Sequence, residues 1–255
     1  MFAVSSIRRS FGVWIAAVVL GVGAGPALAD QARVAVAANF TAAVKEITQQ
    51  FEKTSGHKIL LSFGSTGQLY TQITQGAPFD VFLAADQARP EKAVAAGLAV
   101  KGSRFTYATG KIVLFSSDKT LVSGEETLEK GDFEKIAIAN PVTAPYGAAA
   151  VEAMRALGVY AALRSKIVEG SNISQTYEFV STGNAEVGFV ALSQVARNKA
   201  GSRWIVPSRL YEPLAQDAVL LEHGAKDSAA MAFLAYLKGP KARAIEEKYG
   251  YGTGE

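Results

Sequence analysis

From Arg33 onward the chain switches repeatedly between short apolar runs and longer stretches with apolar residues at helical spacing. No other feature limits the available folds as strongly. "RVAVAA" (33–38) predicts a strand, and residues 41–53 place Ala42, Val44, Ile47 and Phe51 along one helical stripe. Residues 58–63 and 80–84 predict two more strands, each followed by a helix, over 68–75 and 88–96. Strand–helix–strand repetition calls for parallel pairing through right-handed crossovers, hence an α/β sheet covered on both faces.

Two β-rich runs, "RFTYA" and "KIVLFS", then flank Gly110, and a second series follows. It comprises strands at 136–139, 166–169 and 187–190, with helices over 147–157 and 174–181. After "PSRLYEP" come one more strand (217–222) and two helices, 228–238 and 240–248, separated by Gly239. The pattern predicts two α/β domains joined by strand-like crossings, residues 30–108 plus 213–255 forming the first and 109–212 the second. A single nine-strand sheet is the alternative.

The segment before this series has the layout of an export signal. Arg8 and Arg9 precede 15 uninterrupted apolar residues (11–25), and Ala27-Leu28-Ala29 supplies the small residues of a cleavage site after Ala29. The apolar stretch is short for a membrane span. An uncleaved anchor and twin-arginine export remain alternatives. The first 29 residues hold two of the 26 basic residues and no acid, leaving 24 bases against 23 acids in a mature chain of 226 residues. So even a balance argues against a nucleic-acid partner. With no cysteine, the chain has no disulfide, thiolate metal site or thiol nucleophile, and no lipoprotein anchor.

The strand-to-helix junctions carry the functional signal. Asn39-Phe40-Thr41, Ser65-Thr66-Gly67, Ala144-Pro145-Tyr146-Gly147 and Ser171-Asn172-Ile173-Ser174 combine hydrogen-bond donors with small residues, and none contains a charged side chain or histidine. Each junction taken alone is an ordinary helix cap. Together they lie at the carboxyl ends of strands, the edge where open α/β sheets bind ligands. Every helix starting there directs unpaired N–H groups and a partial positive charge into one space. Glycines 64, 67 and 147 are expected to let backbone approach the ligand. Such a ring of neutral donors, poor in acceptors, suits a fully ionised tetrahedral dianion. Hydrogen bonds to a charged group contribute roughly 1.5–3 kcal/mol each. Five to seven of them reach about −8 to −12 kcal/mol after the cost of association, which is micromolar to nanomolar binding.

"VAANF", "SFGSTG", "GAPFDVFLAAD", "SRFTYATGKIVLFS", "NPVTAPYG", "EVGFVALSQV" and "YLKGPKARAIEEKYGY" together resemble the periplasmic molybdate-binding proteins of ABC importers, across residues 30–251. The resemblance implies a bilobal type II solute-binding fold and capture of molybdate, often tungstate too, for a membrane permease and its ATPase. It implies no cofactor and no directly ligated metal, the molybdenum being held as its oxyanion, and a monomer in the periplasm. By position it gives oxyanion-binding roles to Asn39, to Thr66 with Ser65 beside it, and to the main-chain N–H groups of Tyr146 and Ile173. Some members use a tyrosine from the loop after the "GFV" strand, where this chain has Ala191.

The other candidates are weaker. His57 and His223 lie far apart, without the spacing of a metal site. Ser65 sits in Gly-Ser-Thr-Gly rather than Gly-x-Ser-x-Gly, and no histidine is placed as its base. Asp80 and Asp86 flank a strand and are expected to be structural, since a carboxylate in the cleft would repel a dianion. A binding protein rather than an enzyme is therefore expected. The rivals are a same-fold receptor for sulfate or a small organic anion, a hydrolase using Ser65, and a tethered sensor domain.

Overall fold

The structure, a computed structural model, describes residues 1–3 and 30–253. The predicted signal segment and its cleavage site fall almost entirely on residues 4–29, outside the described residues. The first series forms β1 (Gln31–Ala37), α1 (Thr41–Ser55), β2 (Lys58–Gly64), α2 (Thr66–Thr74), β3 (Val81–Leu83), α3 (Ala88–Ala95) and β4 (Phe105–Gly110). The second forms β5 (Ile112–Ser116), α4 (Glu126–Lys130), β6 (Ile136–Ala139), α5 (Pro145–Ala156), α6 (Tyr160–Leu163), β7 (Ile167–Gly170), α7 (Ile173–Ser181), β8 (Val187–Ala191), α8 (Leu192–Val195) and β9 (Ser202–Ile205). The chain closes with β10 (Leu214–Leu220), α9 (Ser228–Leu237), α10 (Pro240–Lys248) and β11 (Gly252–Thr253).

These strands build two sheets, ordered β11-β4-β10-β3-β1-β2 and β7-β6-β8-β5-β9. The protein is thus a bilobal α/β fold of two mixed sheets. The lobes repeat one topology without repeating sequence. In each, three strands pair in parallel through crossover helices, β2-β1-β3 and β7-β6-β8. In each, a strand entering from the crossing between lobes adds antiparallel, β10 against β3 and β4, β5 against β8 and β9. The strand–helix alternation predicts parallel pairing and gives no direction for the crossing strands. The crossing strands add antiparallel because they arrive from the opposite lobe rather than through a helix on their own sheet. Sheet membership changes at Lys111, since Thr109 and Gly110 still pair with Ala215 and Leu214. The short strand β9 escapes the periodicity analysis because Ser202–Ile205 contains only two apolar residues.

Each sheet carries apolar side chains on both faces, giving four buried clusters. The largest surrounds Ile138, Tyr146 and Phe189 in the second lobe and continues onto Ala37, Ala38 and Ala85 of the first. The lobes are therefore closed on one another. Direct hydrogen bonds cross the gap: Gly67 N–H to Thr143 C=O at 2.8 Å, Arg89 Nη2 to Val142 C=O at 3.0 Å and Ser193 Oγ to the Asn39 C=O at 2.8 Å.

Candidate oxyanion site

The helix starts that face the cleft owe their positions to local chemistry. Ser65 caps α2 through a capping box: its Oγ accepts the Gln68 N–H while the Gln68 side chain accepts the Ser65 N–H. Pro145 occupies the first turn of α5, where a missing N–H costs nothing. Asn172 caps α7 by accepting from the N–H groups of Ser174 and Gln175. None of α1, α2, α5 or α7 has an acidic residue in its first turn, so the positive end of each dipole is uncompensated.

Between these helix starts lies a narrow space. Asn39, Ser65, Thr66, Tyr146 and Ile173 all line it, with Ala37, Ala38, Gly64, Ala85, Ala144 and Pro145 completing the wall. The five residues singled out from the sequence are thus brought together, two lobes contributing to one wall, and all five are buried. Among the described residues, no charged side chain lines the space. Little of it is wide enough for more than a water-sized sphere, which leaves room only for a guest of a few atoms.

Its donors are left free by the fold. The N–H groups of Asn39, Thr66, Tyr146 and Ile173 find no acceptor among the described residues. Thr66 Oγ1 accepts the Ala85 N–H at 3.1 Å, and Ser65 Oγ accepts the Gln68 N–H at 3.4 Å. With a lone pair of each hydroxyl occupied, its own hydrogen remains to be donated. The wall therefore presents N–H and O–H groups to a guest that must bring its own acceptors.

Asn39 departs from the simplest expectation. Its Nδ2 donates to Gln216 Oε1 at 2.8 Å and Tyr251 Oη at 3.1 Å, with Tyr146 Oη at 3.4 Å. With its carboxamide hydrogens engaged there, the main-chain N–H is the donor that Asn39 has free. Burial pushes the hydroxyls of Tyr107, Tyr146 and Tyr251 well above the usual tyrosine range, so this network stays neutral.

Two of the glycines have a packing role as well. A Cβ on Gly147 would lie 1.9 Å from the Ala139 carbonyl oxygen, and one on Gly67 would lie 3.0 Å from Thr143. They allow helix and strand, or lobe and lobe, to meet closely, while Gly64 lines the space itself. Ala191, in place of a tyrosine, is buried at the end of β8 and does not line the space. Its loop contributes Ser193 to the contact between lobes instead.

The residues set aside in the sequence are structural. Asp80 accepts the Arg33 N–H and meets His223 Nδ1, both at 2.6 Å. Asp86 pairs with Arg89. His57 stacks on Phe51. Among the described residues no three His, Asp or Glu side chains converge as a metal site would require. Gln216 is the site-adjacent residue that sequence reasoning missed. A lone glutamine in a predicted strand carries no local signal, and its importance arises only from what the fold packs around it.

Closed lobes around a small, charge-free ring of donors define a solute-binding protein. The chain belongs to the bacterial extracellular solute-binding protein family, whose model matches residues 32–252. It is 55% identical to the molybdate-binding protein ModA of Rhodobacter capsulatus, over 95% of this chain and 96% of that protein. It is 53% identical to the molybdate-binding protein ModA of Azotobacter vinelandii, over 95% and 99% of the two. Among solved structures, the Azotobacter vinelandii periplasmic molybdate-binding protein superposes with a TM-score of 0.85 at 40% identity, covering 88% of this chain and all of that one. These relatives are named for binding, not for catalysis.

Proposed function

We propose that this protein captures molybdate between its lobes and delivers it to an ABC permease. The observation that carries the proposal is the charge-free space into which α2, α5 and α7 open with unpartnered N–H groups and free hydroxyl hydrogens. A tetrahedral dianion offers acceptors on every side and no hydrogen in need of an acceptor, matching a wall that holds donors. Burial between closed lobes lowers the local dielectric and strengthens each hydrogen bond to the ion. The names of the relatives at 53% and 55% identity support molybdate as the particular guest.

In this reading Ser65 donates through its hydroxyl and Thr66 through hydroxyl and main chain from the first lobe, with the Asn39 N–H beside them. Tyr146 and Ile173 donate main-chain N–H groups from the second. The two lobes, whose sheets exchange at Lys111 rather than at residue 109, move as the two bodies, and the closed form is the one the permease reads. Tungstate, with the same charge and shape, fits the same wall. The chain acts as a monomer in the periplasm, after removal of residues 1–29. Calorimetric titration with molybdate, tungstate, sulfate and phosphate tests the assignment. Tight binding of the first two, with sulfate and phosphate much weaker, is expected. Sulfate binding as tight as molybdate would overturn it.

A further inference from the structure

Gln216 is fully buried on β10, next to the crossing between the lobes. Its Oε1 accepts from Asn39 Nδ2 at 2.8 Å and from Tyr107 Oη at 3.0 Å, while its Nε2 donates to Tyr146 Oη at 3.0 Å. Asn39 belongs to the first lobe and Tyr146 to the second, and both line the anion site. One side chain therefore touches a binding residue from each lobe. The ladder between β10 and β4 shifts register between Gln216 and Asp217, and such an irregularity re-aims a side chain.

The opposite wall is built to the same purpose. A Cβ on Gly110 would lie 2.0 Å from Tyr146 Oη and 2.6 Å from Gln216 Nε2, so only a glycine lets the tyrosine hydroxyl dock against the crossing strand. Glutamine chemistry is also required. A carboxamide accepts on one end and donates on the other, whereas a carboxylate only accepts and a leucine does neither. When the lobes part, Tyr146 moves away and Nε2 loses its buried acceptor.

We propose that Gln216 is a positioning residue for anion capture. It ties Tyr146 to Asn39 only in the closed arrangement, and so holds the main-chain donors of the two lobes at the spacing the ion needs. The proposal deepens the anion-binding function above and rests on it.

The absence of cysteine makes the test direct. Spin labels at Lys53→Cys in the first lobe and Glu129→Cys in the second, both exposed positions, report lobe separation. With saturating molybdate the otherwise unaltered protein should show a single closed distance. Gln216→Leu should retain an open population and bind molybdate at least tenfold more weakly. Gln216→Glu should be weak near pH 8 and recover as the buried carboxyl protonates toward about pH 6, restoring the donor to Tyr146. If Gln216→Leu fails to fold, the pH recovery of Gln216→Glu carries the test. Closure and affinity unchanged in Gln216→Leu, or a Gln216→Glu loss independent of pH, would overturn the role. Ligand-free label distances separate the two readings. A protein blind to molybdate, yet more closed than its Gln216→Leu variant, overturns molybdate capture and leaves the role of Gln216 standing.

Discussion

Thr66 Oγ1 accepts the main-chain N–H of Ala85 at 3.1 Å, tying the start of α2 to the chain just beyond β3. The bond fixes the hydroxyl rotor with its hydrogen available to the anion space. Thr66→Val keeps the shape but removes that donor together with the acceptor of the Ala85 N–H, so molybdate affinity should fall about 10- to 150-fold, the equivalent of roughly 1.5–3 kcal/mol, and stability should fall by about 1–3 kcal/mol. Thr66→Ser, which keeps the hydroxyl, should stay near the parent affinity. Isothermal titration of both variants decides the matter.

Ser193 Oγ donates to the Asn39 carbonyl across the lobes, and Tyr251 Oη donates to the same oxygen at 2.7 Å. Removing one of two donors leaves no orphaned acceptor. Ser193→Ala should therefore weaken closure by about 0.5–1.5 kcal/mol and molybdate binding by a few-fold to tenfold, with little loss of thermal stability. Small-angle scattering with and without molybdate, beside a thermal melt, separates the two effects.

Gly147 lies so close to the Ala139 carbonyl that a methyl group there cannot be accommodated without moving α5 away from β6. Gly147→Ala should lower stability by about 1–3 kcal/mol or more, as overpacking does. It should also weaken the ion site, because the Tyr146 N–H moves with the helix. Chemical denaturation and titration of the same sample read both.

Glu246 is buried on α10 with its Oε1 unpartnered, and burial pushes its carboxyl up to about 8. The folded-state value lies above the unfolded one, so the unfolded chain releases its proton first as pH rises. Stability from this group is full below the ordinary glutamate value and is lost between about pH 4.5 and about pH 8. Glu246→Gln should flatten that dependence and raise stability at pH 8 by on the order of 1–3 kcal/mol. Urea unfolding across the range checks the sign. A variant less stable than the parent at pH 8 would refute it.

Among the described residues, no acidic or basic side chain lines the anion space, and burial keeps the nearby tyrosine hydroxyls neutral. Molybdate affinity should therefore stay flat from about pH 6.5 to about pH 9, where the protein's donors do not titrate. It should also respond weakly to sodium chloride, since no formal cation is there to be screened. A steep salt dependence in the titrations would point to lysine or arginine at the ion.

Much of the fold and the wall of the site could be read along the chain, because the signals are local. β6 occupies the residues its apolar run predicts, and the starts of α2, α5 and α7 carry the Ser, Pro and Asn that helix termini select. Those same termini supply the donors, so Ser65, Thr66, Tyr146 and Ile173 could be named from spacing and residue type with the family resemblance.

What the sequence determined by itself was the alternation of the main strands and helices, the charge-free junctions and the resemblance to the solute-binding family. Each element and junction depends on residues a few positions apart, and the resemblance on short motifs of the same kind. The tertiary structure alone decided the antiparallel entry of β5 and β10, the packing use of Gly67 and Gly147, the engagement of the Asn39 carboxamide, and the place of Gln216 between the lobes. Asn39 and Gln216 stand 177 residues apart. Whether a polar side chain faces a ligand or a buried partner depends on which distant groups the closed lobes bring within hydrogen-bond reach, and no local pattern encodes that.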